Sequence, residues 1–422
     1  MATERTTCVV AGGGPAGMVL GLLLARAGVR VTVLEKHADF LRDFRGDTVH
    51  TSTLGLLDEL GLADAFERLP YSRVEHFQFP GPDGKPVTLS DFTSLPGKYP
   101  YIAMVPQSDL LELLAEAGRA EPTFDLRMST EVAGVTRERG RVTGVTYRTA
   151  DGVEGEIYGD LVVAADGRWS PLRDAVGLRP HEYAVPMDTW WVRLPRRAGD
   201  DQGAVRAAVH GCELALIIDR TEYYQLAYFN RKGFDPTLRA EGVERFRERV
   251  AALFPALADR VAAITSMADV KHLDVRLNRL RRWYVDGLLC IGDAAHAMSP
   301  AGGVGVNLAI QDAVAAATLL AEPLRRHVVL TSDLARVQSR RWLPTVIVQA
   351  MQRIIHAAVF KRVTEGRPLR RTPLPMRLVS WFPVLRRLPA YLIAIGPRPE
   401  HAPGFARPGG KPDVDGYAWL AG

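Results

Sequence analysis

The stretch that most restricts what this chain can fold into lies in its first forty residues. Thr6–Ala11 is a short apolar, β-forming run that leads directly into Gly12-Gly13-Gly14-Pro15-Ala16-Gly17. Helix-forming residues follow over Met18–Arg26, with Gly28 placed to stop the helix. Val29–Leu34 is a second strand-like run, and it ends in an acid, Glu35.

Each part has a physical task. Gly12 permits a tight turn, Gly14 lets backbone approach a pyrophosphate, and Gly17 lets helix and strand pack closely. The helix N-terminus directs free N–H groups and partial positive charge at phosphates. Glu35, about 20 residues on from the glycines, is placed to bind a ribose hydroxyl. GxGxxG alone would also fit a mere glycine-rich turn. Its setting between two strands and a helix points to a dinucleotide, and the acid favours an unphosphorylated ribose, as in FAD or NAD.

Two later segments choose between these. Leu161–Ala165 reads as a buried strand, followed by Asp166-Gly167 at a turn and a helix opening near Ser170 or Pro171. Leu288–Ile291 reads as another strand, ending in Gly292-Asp293. Pro300-Ala301-Gly302-Gly303-Val304-Gly305-Val306-Asn307 and a helix through about Leu320 come next. Asp293 can accept a hydrogen bond from a ribityl chain. A helix opening near Val304 would stabilise negative charge on a reduced flavin ring.

With GxGxxG at 12–17, DGxxSxxR at 166–173 and GDAAHxxxPxxGxGxN at 292–307, the chain resembles the single-component FAD-dependent aromatic hydroxylases, typified by p-hydroxybenzoate hydroxylase. The resemblance runs over roughly residues 5–320. It implies an FAD-dependent monooxygenase that uses NADPH or NADH as a transient co-substrate and O2 to hydroxylate an aromatic through a flavin 4a-hydroperoxide. By that resemblance Gly12, Gly14, Pro15, Ala16 and Gly17 cradle the pyrophosphate, with Glu35 on the ribose, Lys36 beside the adenine and Val132 meeting it through a backbone amide. Arg45, with Arg42 as rival, contacts FAD, and Gln107 contacts its flavin side. Asp166 and Gly167 serve FAD and nicotinamide; Gly292 and Asp293 hold the ribityl and phosphate region. Gly303, Val304, Gly305, Val306 and Asn307 lie at the pyrimidine edge. Pro300 sits beside the ring, Tyr224 near the substrate pocket, and the Arg45 segment is a mobile contact. These three, Pro300, Tyr224 and Arg45, are the candidates closest to the reaction.

The expected fold is α/β: a Rossmann-like FAD-binding domain (1–73, 104–179 and 281–322) interleaved with an α+β substrate domain (74–103 and 180–280), then a C-terminal helical segment and tail (323–422). Trp190–Leu194, Val205–His210, Glu213–Asp219 and Tyr223–Phe229 read as strands of an antiparallel sheet flooring the pocket. The hydroxybenzoate enzyme binds its substrate carboxylate with a serine and an arginine on the strand before the tyrosine. Here that stretch is Leu216-Ile217-Ile218-Asp219-Arg220. The missing serine argues for a larger, less charged aromatic of polyketide or indole type. A second GxGxxG after a strand is lacking, so nicotinamide is expected in a groove and its phosphorylation state is not legible.

His296 is expected to order its loop, His50 to lie on the surface or behind the site, and Arg173 to act as an anchor. Residues 333–360 read as a long amphipathic helix. The arginines at 362–377 and the apolar stretch to Ile395 suit a helical lid on the FAD domain, and also allow peripheral membrane contact. Lys+Arg exceed Asp+Glu by 53 to 48, too mild an excess for nucleic acid. Cys8, Cys212 and Cys290 are scattered, so no metal site or disulfide framework is expected, and Cys8 and Cys290 read as buried thiols. No spanning helix or signal peptide is read, which points to the cytoplasm, as a monomer or homodimer. The rival readings are a flavin-dependent reductase, a halogenase, or a flavin-binding protein without turnover.

Overall fold

The computed structural model describes residues 2–41, 47–80, 86–197, 199–200, 204–220, 222–366 and 383–410. Arg42 and Arg45 lie outside these residues, as do the arginines at 367–377.

A six-stranded sheet forms the centre, in the order Tyr284–Val285, Leu288–Cys290, Leu161–Ala164, Cys8–Ala11, Val31–Leu34, Phe124–Arg127. All neighbours are parallel except the Tyr284–Val285 edge. The inner strands are buried at every position, and apolar except at Thr32, because both sheet faces are covered. Helices Pro15–Arg26 and Gly305–Arg325 pack against each other and supply much of the apolar core.

The register matters most for function. Ala11 pairs with Ala164, and Ala164 with Cys290. The three strands therefore end side by side, and each of the three sequence motifs begins where its strand stops. In open α/β sheets ligands bind in the crevice outside these carboxyl ends.

A seven-stranded sheet stands beside this one: Lys271–Leu273, Met187–Pro195, Tyr223–Arg231, Glu213–Asp219, Ala204–His210, His76–Pro80, Pro86–Asp91. Strands from 74–103 and from 180–280 thus join in one sheet, antiparallel except where Ala204–His210 meets His76–Pro80. Its two faces bury different things. Trp190, Val192, Ala215, Ile217, Tyr224, Leu226 and Tyr228 pack under the helix Asp235–Leu253. Leu214, Ala227 and Phe229 pack with Ala301, Val359, Phe360 and Val363.

The long C-terminal helix runs over Thr331–Ile355, continues through a π-type turn at His356–Phe360 and ends at Lys361–Thr364. The short helix Arg387–Ala394 buries Ala390 and Ala394 against Val74, Phe92, Ile102 and Ile218, so its apolar partners come mainly from around the second sheet. Two helical stretches, Ala301–Arg325 and Thr331–Thr364, are long and apolar enough to cross a membrane by length and composition, where the sequence reading expected none. In the first, 78% of the apolar window is buried within the protein, as in the core helix of a globular fold. Cys8 and Cys290 are fully buried, and burial pushes both thiols up; Cys212 is exposed.

Candidate flavin-binding site

The glycines of the first motif differ in how much room they have. A Cβ at Gly12, where φ is +106°, would lie 2.4 Å from the Ala165 carbonyl oxygen. One at Gly17 would lie 1.9 Å from the Gly12 carbonyl oxygen. These two are excluded by the fold itself. A Cβ at Gly14 meets nothing within 4 Å. Gly14 is the N-cap of Pro15–Arg26, so the open space lies at a helix N-terminus, where a diphosphate fits both by shape and by dipole.

Glu35 is buried beside this loop. Its Oε2 accepts from Gly13 N–H at 2.9 Å, and its Oε1 accepts from His37 N–H at 3.0 Å and lies 2.6 Å from His37 Nδ1. Thr130 N–H donates to the Glu35 carbonyl, which brings the Val132 strand alongside. Between Val132 and Gly134 the register shifts, as at a bulge. Lys36 is exposed at the same end.

The second motif lies directly behind Gly12. Asp166 is held at one oxygen by Leu172 N–H at 3.2 Å, while Oδ1 is buried without a partner. Burial raises its pKa. Gly167 adopts φ +86°, and Ser170 caps the helix Pro171–Ala175 by accepting from Arg173 N–H. The buried Arg173 guanidinium donates to the carbonyls of Arg168 and Ala294, so it anchors the second motif to the third.

In the third motif Gly292, at φ +58°, is closed in: a Cβ there would lie 3.0 Å from Ala309 Cβ and 3.5 Å from Ala16 Cβ. This turn therefore meets both the glycine loop and the helix Gly305–Arg325. The Asp293 carboxylate is partly exposed and sits 3.3 Å from Arg168. His296 is buried with Nε2 2.5 Å from Asp312 Oδ2, which also accepts from Gly292 N–H at 3.1 Å. The loop-ordering task expected of His296 matches this geometry.

Pro300 precedes the turn Ala301–Gly303, and its carbonyl accepts from Gly303 N–H at 3.0 Å. Val304 caps the helix in which Gly305, Val306 and Asn307 form the first turn. The Asn307 side chain is occupied within the protein. Oδ1 accepts from His50 N–H and Thr53 Oγ1, and Nδ2 donates to the carbonyl of Thr48. Only its backbone is left for a ligand. His50 is fully buried, not on the surface; Nδ1 donates to the Ile393 carbonyl at 2.7 Å.

Gln107 opens the helix Gln107–Arg119, and its N–H donates to Asp47 at 3.3 Å. Asp47 is paired at 2.5 Å with Arg220, both nearly buried, which ties the segment after residue 46 to the hairpin of the second sheet. Burial raises the Asp47 carboxyl, with Arg220 opposing. This pair was missed in the sequence because its members are distant and neither lies in a motif.

Tyr224 is not on the side of its sheet that meets Ala301, next to Pro300. Alternation along Tyr223–Arg231 turns it, with Leu226 and Tyr228, under the helix Asp235–Leu253. The residues packed on Ala301's side are Ala227 and Phe229. Tyr224 therefore faces away from Ala301, and Phe229, of the opposite strand parity, faces it.

The site accommodates FAD on its own geometry: an open glycine at a helix N-terminus, a partly exposed carboxylate at Asp293, and a buried unpartnered oxygen on Asp166. Comparison with known proteins agrees. The FAD binding domain family model matches residues 5–332. The chain is 36% identical over 392 residues to 6-methylpretetramide 4-monooxygenase from Streptomyces rimosus, covering 91% of this chain and 92% of that one. Two solved structures share the fold. OxyS anhydrotetracycline hydroxylase from Streptomyces rimosus has a TM-score of 0.74 at 24% identity, covering 93% of this chain and 76% of that one. PqsL from Pseudomonas aeruginosa has a TM-score of 0.72 at 23% identity, covering 86% and 99%.

Proposed function

The chain belongs to the FAD-dependent aromatic hydroxylases and is an FAD-dependent monooxygenase, and from that premise we propose that it hydroxylates a polycyclic, weakly charged aromatic of the polyketide type. The observation that carries this reading is the face of the second sheet turned towards Ala301. It presents Leu214, Leu216, Ala227 and Phe229, backed by Phe77, Phe79 and Val209. Val359, Phe360 and Val363 cover Leu214 and Phe229, while Phe77, Trp191, Val209 and Leu216 stay partly exposed and would offer a broad apolar ring system area and shape. The similarity over nearly the whole chain to an enzyme named for a pretetramide supports the same substrate class.

FAD, when bound, supplies the redox chemistry between NAD(P)H and O2. The chain's own groups bind and orient. Gly14 and the N-terminus of Pro15–Arg26 receive the diphosphate, with Glu35 and Val132 at the adenosine end. Asp293 and Gly292 hold the ribityl region. The N-terminus of the Gly305–Arg325 helix would direct partial positive charge at the ring edge. Pro300 and the apolar sheet face exclude water from the reacting carbon. Within this reading 1–73, 104–179 and 281–322 form the FAD unit, and 74–103 with 180–280 the substrate unit. The membership of the two large sheets supports that division.

The test is anaerobic reduction of the flavoprotein by NADPH and by NADH, with and without a panel of tetracyclic phenols, indoles and simple hydroxybenzoates. The reading expects marked acceleration by a tetracyclic phenol and a product heavier by one oxygen atom once air is admitted. Acceleration by a small hydroxybenzoate or an indole alone would replace the proposed substrate class.

A further inference from the structure

The helix Thr331–Ile355 carries Arg341, Thr345, Gln349 and Gln352 on one face, and His356 continues the line. None of the five is more than 3% exposed. A buried polar stripe must find partners, and several of these partners are backbone groups at or beside the third motif. Gln349 donates to the carbonyls of Asn278 and Ala297 at 2.7 and 3.5 Å. Gln352 accepts from Ser299 N–H at 3.1 Å and donates to the carbonyls of Ser299 and Ala301 at 2.8 and 2.9 Å. His356 Nε2 lies 2.8 Å from Ser299 Oγ, which also accepts from Ala301 N–H at 3.3 Å. Arg341 holds Asp312, the acceptor of Gly292 N–H. One helix face thus grips the segment 292–301 at both ends, and it lies beyond residue 332, where the family match stops.

Gln352 satisfies both backbone groups of Ser299 and spans Pro300 to reach Ala301. His356 holds the Ser299 hydroxyl from the first residue of a π-type turn, a feature that often accompanies functional sites. Burial holds its imidazole neutral, with the pKa lowered to about 4.

We propose that Gln352 and His356 are positioning residues that fix the Ser299–Ala301 backbone against the bound flavin. The proposal rests on the reading of 292–307 as the flavin turn. It assigns the long C-terminal helix a task in the site although no residue of that helix is called on to touch the cofactor.

The test uses the full-length protein loaded with FAD, and three readouts: the FAD dissociation constant, the visible circular dichroism of the bound flavin, and the thermal midpoint. His356→Leu removes one hydrogen bond and Ser299→Ala two, and the expected result for each is an altered visible spectrum with FAD weakened by about fivefold or less. His356→Gln, which can still reach Ser299, restores the wild-type spectrum. Gln352→Met gives the larger spectral change; if it does not fold, the Ser299 and His356 variants carry the test. A wild-type flavin spectrum in every folded variant overturns the proposal, and so does a lowered thermal midpoint with no spectral change. Asp293→Ala separates the two readings: undiminished FAD affinity there would overturn the assignment of the flavin turn itself.

Discussion

Asp312 Oδ1 lies 3.1 Å from Arg341 Nε, and neither side chain is exposed to solvent. Arg341 also donates to Glu400 at 3.2 Å, itself buried and held by Arg340. The pair links the helix after the flavin turn to the C-terminal segment. Attraction to His296 and Arg341 overcomes burial and keeps the Asp312 carboxyl below its ordinary value.

Removing one member leaves the remaining buried charges with fewer partners. Arg341→Met is expected to lose about 3–5 kcal/mol of stability. Arg341→Met with Asp312→Asn should lose less than the sum of the two single changes, because fewer charges are stranded. Urea denaturation of the four proteins of the cycle measures both.

The three motif glycines should separate fold from ligand. Gly12→Ala and Gly17→Ala place a methyl group against backbone oxygens and are expected to lower the thermal midpoint of the FAD-free protein. Gly14→Ala meets only open space and should leave that midpoint unchanged. Its methyl would occupy the approach of the diphosphate, and FAD should weaken by about tenfold or more. Fluorescence titration with FAD checks the difference.

Asp293→Ala is expected to abolish tight FAD binding while the apo fold survives, since its carboxylate is partly exposed and its partner Arg168 can turn to solvent. Equilibrium dialysis of the variant against FAD decides this. Retention of full yellow colour would contradict the placement of the cofactor.

Tyr224 and Phe229 lie on opposite faces of one strand. Tyr224→Ala should cost about 3–5 kcal/mol as a core cavity, with little change in KM of the folded fraction. Phe229→Ala, which also loses packing on Phe360, should in addition alter KM for the aromatic substrate. Steady-state kinetics beside denaturation curves tells the two apart.

Two buried histidines make stability depend on pH. Burial lowers His50 and His356 from the ordinary 6.5 to about 4. Both are therefore neutral in the folded protein, and their contribution is complete above pH 6.5. It falls as acid protonates the unfolded chain first, and is exhausted below about pH 4. Between pH 7.5 and 5 each should remove about 2 kcal/mol. Denaturation at the two pH values, repeated on His356→Gln, should show a shallower pH dependence in the variant.

What the sequence by itself determined is whatever depends on contiguous residues. Strand, glycine turn and helix at 8–26, the Asp-Gly turn at 166–167 and the Gly-Asp turn at 292–293 were legible because each motif carries its own local backbone requirement. Four strands of the second sheet, including Glu213–Asp219 and the hairpin after it, were legible from alternation and turn residues, while His76–Pro80, Pro86–Asp91 and Lys271–Leu273 were not. The tertiary structure alone decided which of these meet and which way each side chain points. Alternation gives two faces for Tyr223–Arg231 but no label for either; only the packing of Asp235–Leu253 on one side and Ala301 on the other assigns Tyr224 and Phe229. Asn307 looked like a ligand residue and is instead taken up by Thr48, His50 and Thr53. Asp47–Arg220, Asp312–Arg341 and the line from Arg341 to His356 carry no motif, because their partners are distant in sequence. Burial, which gives those polar groups their energetic weight, exists only once the chain has closed around them.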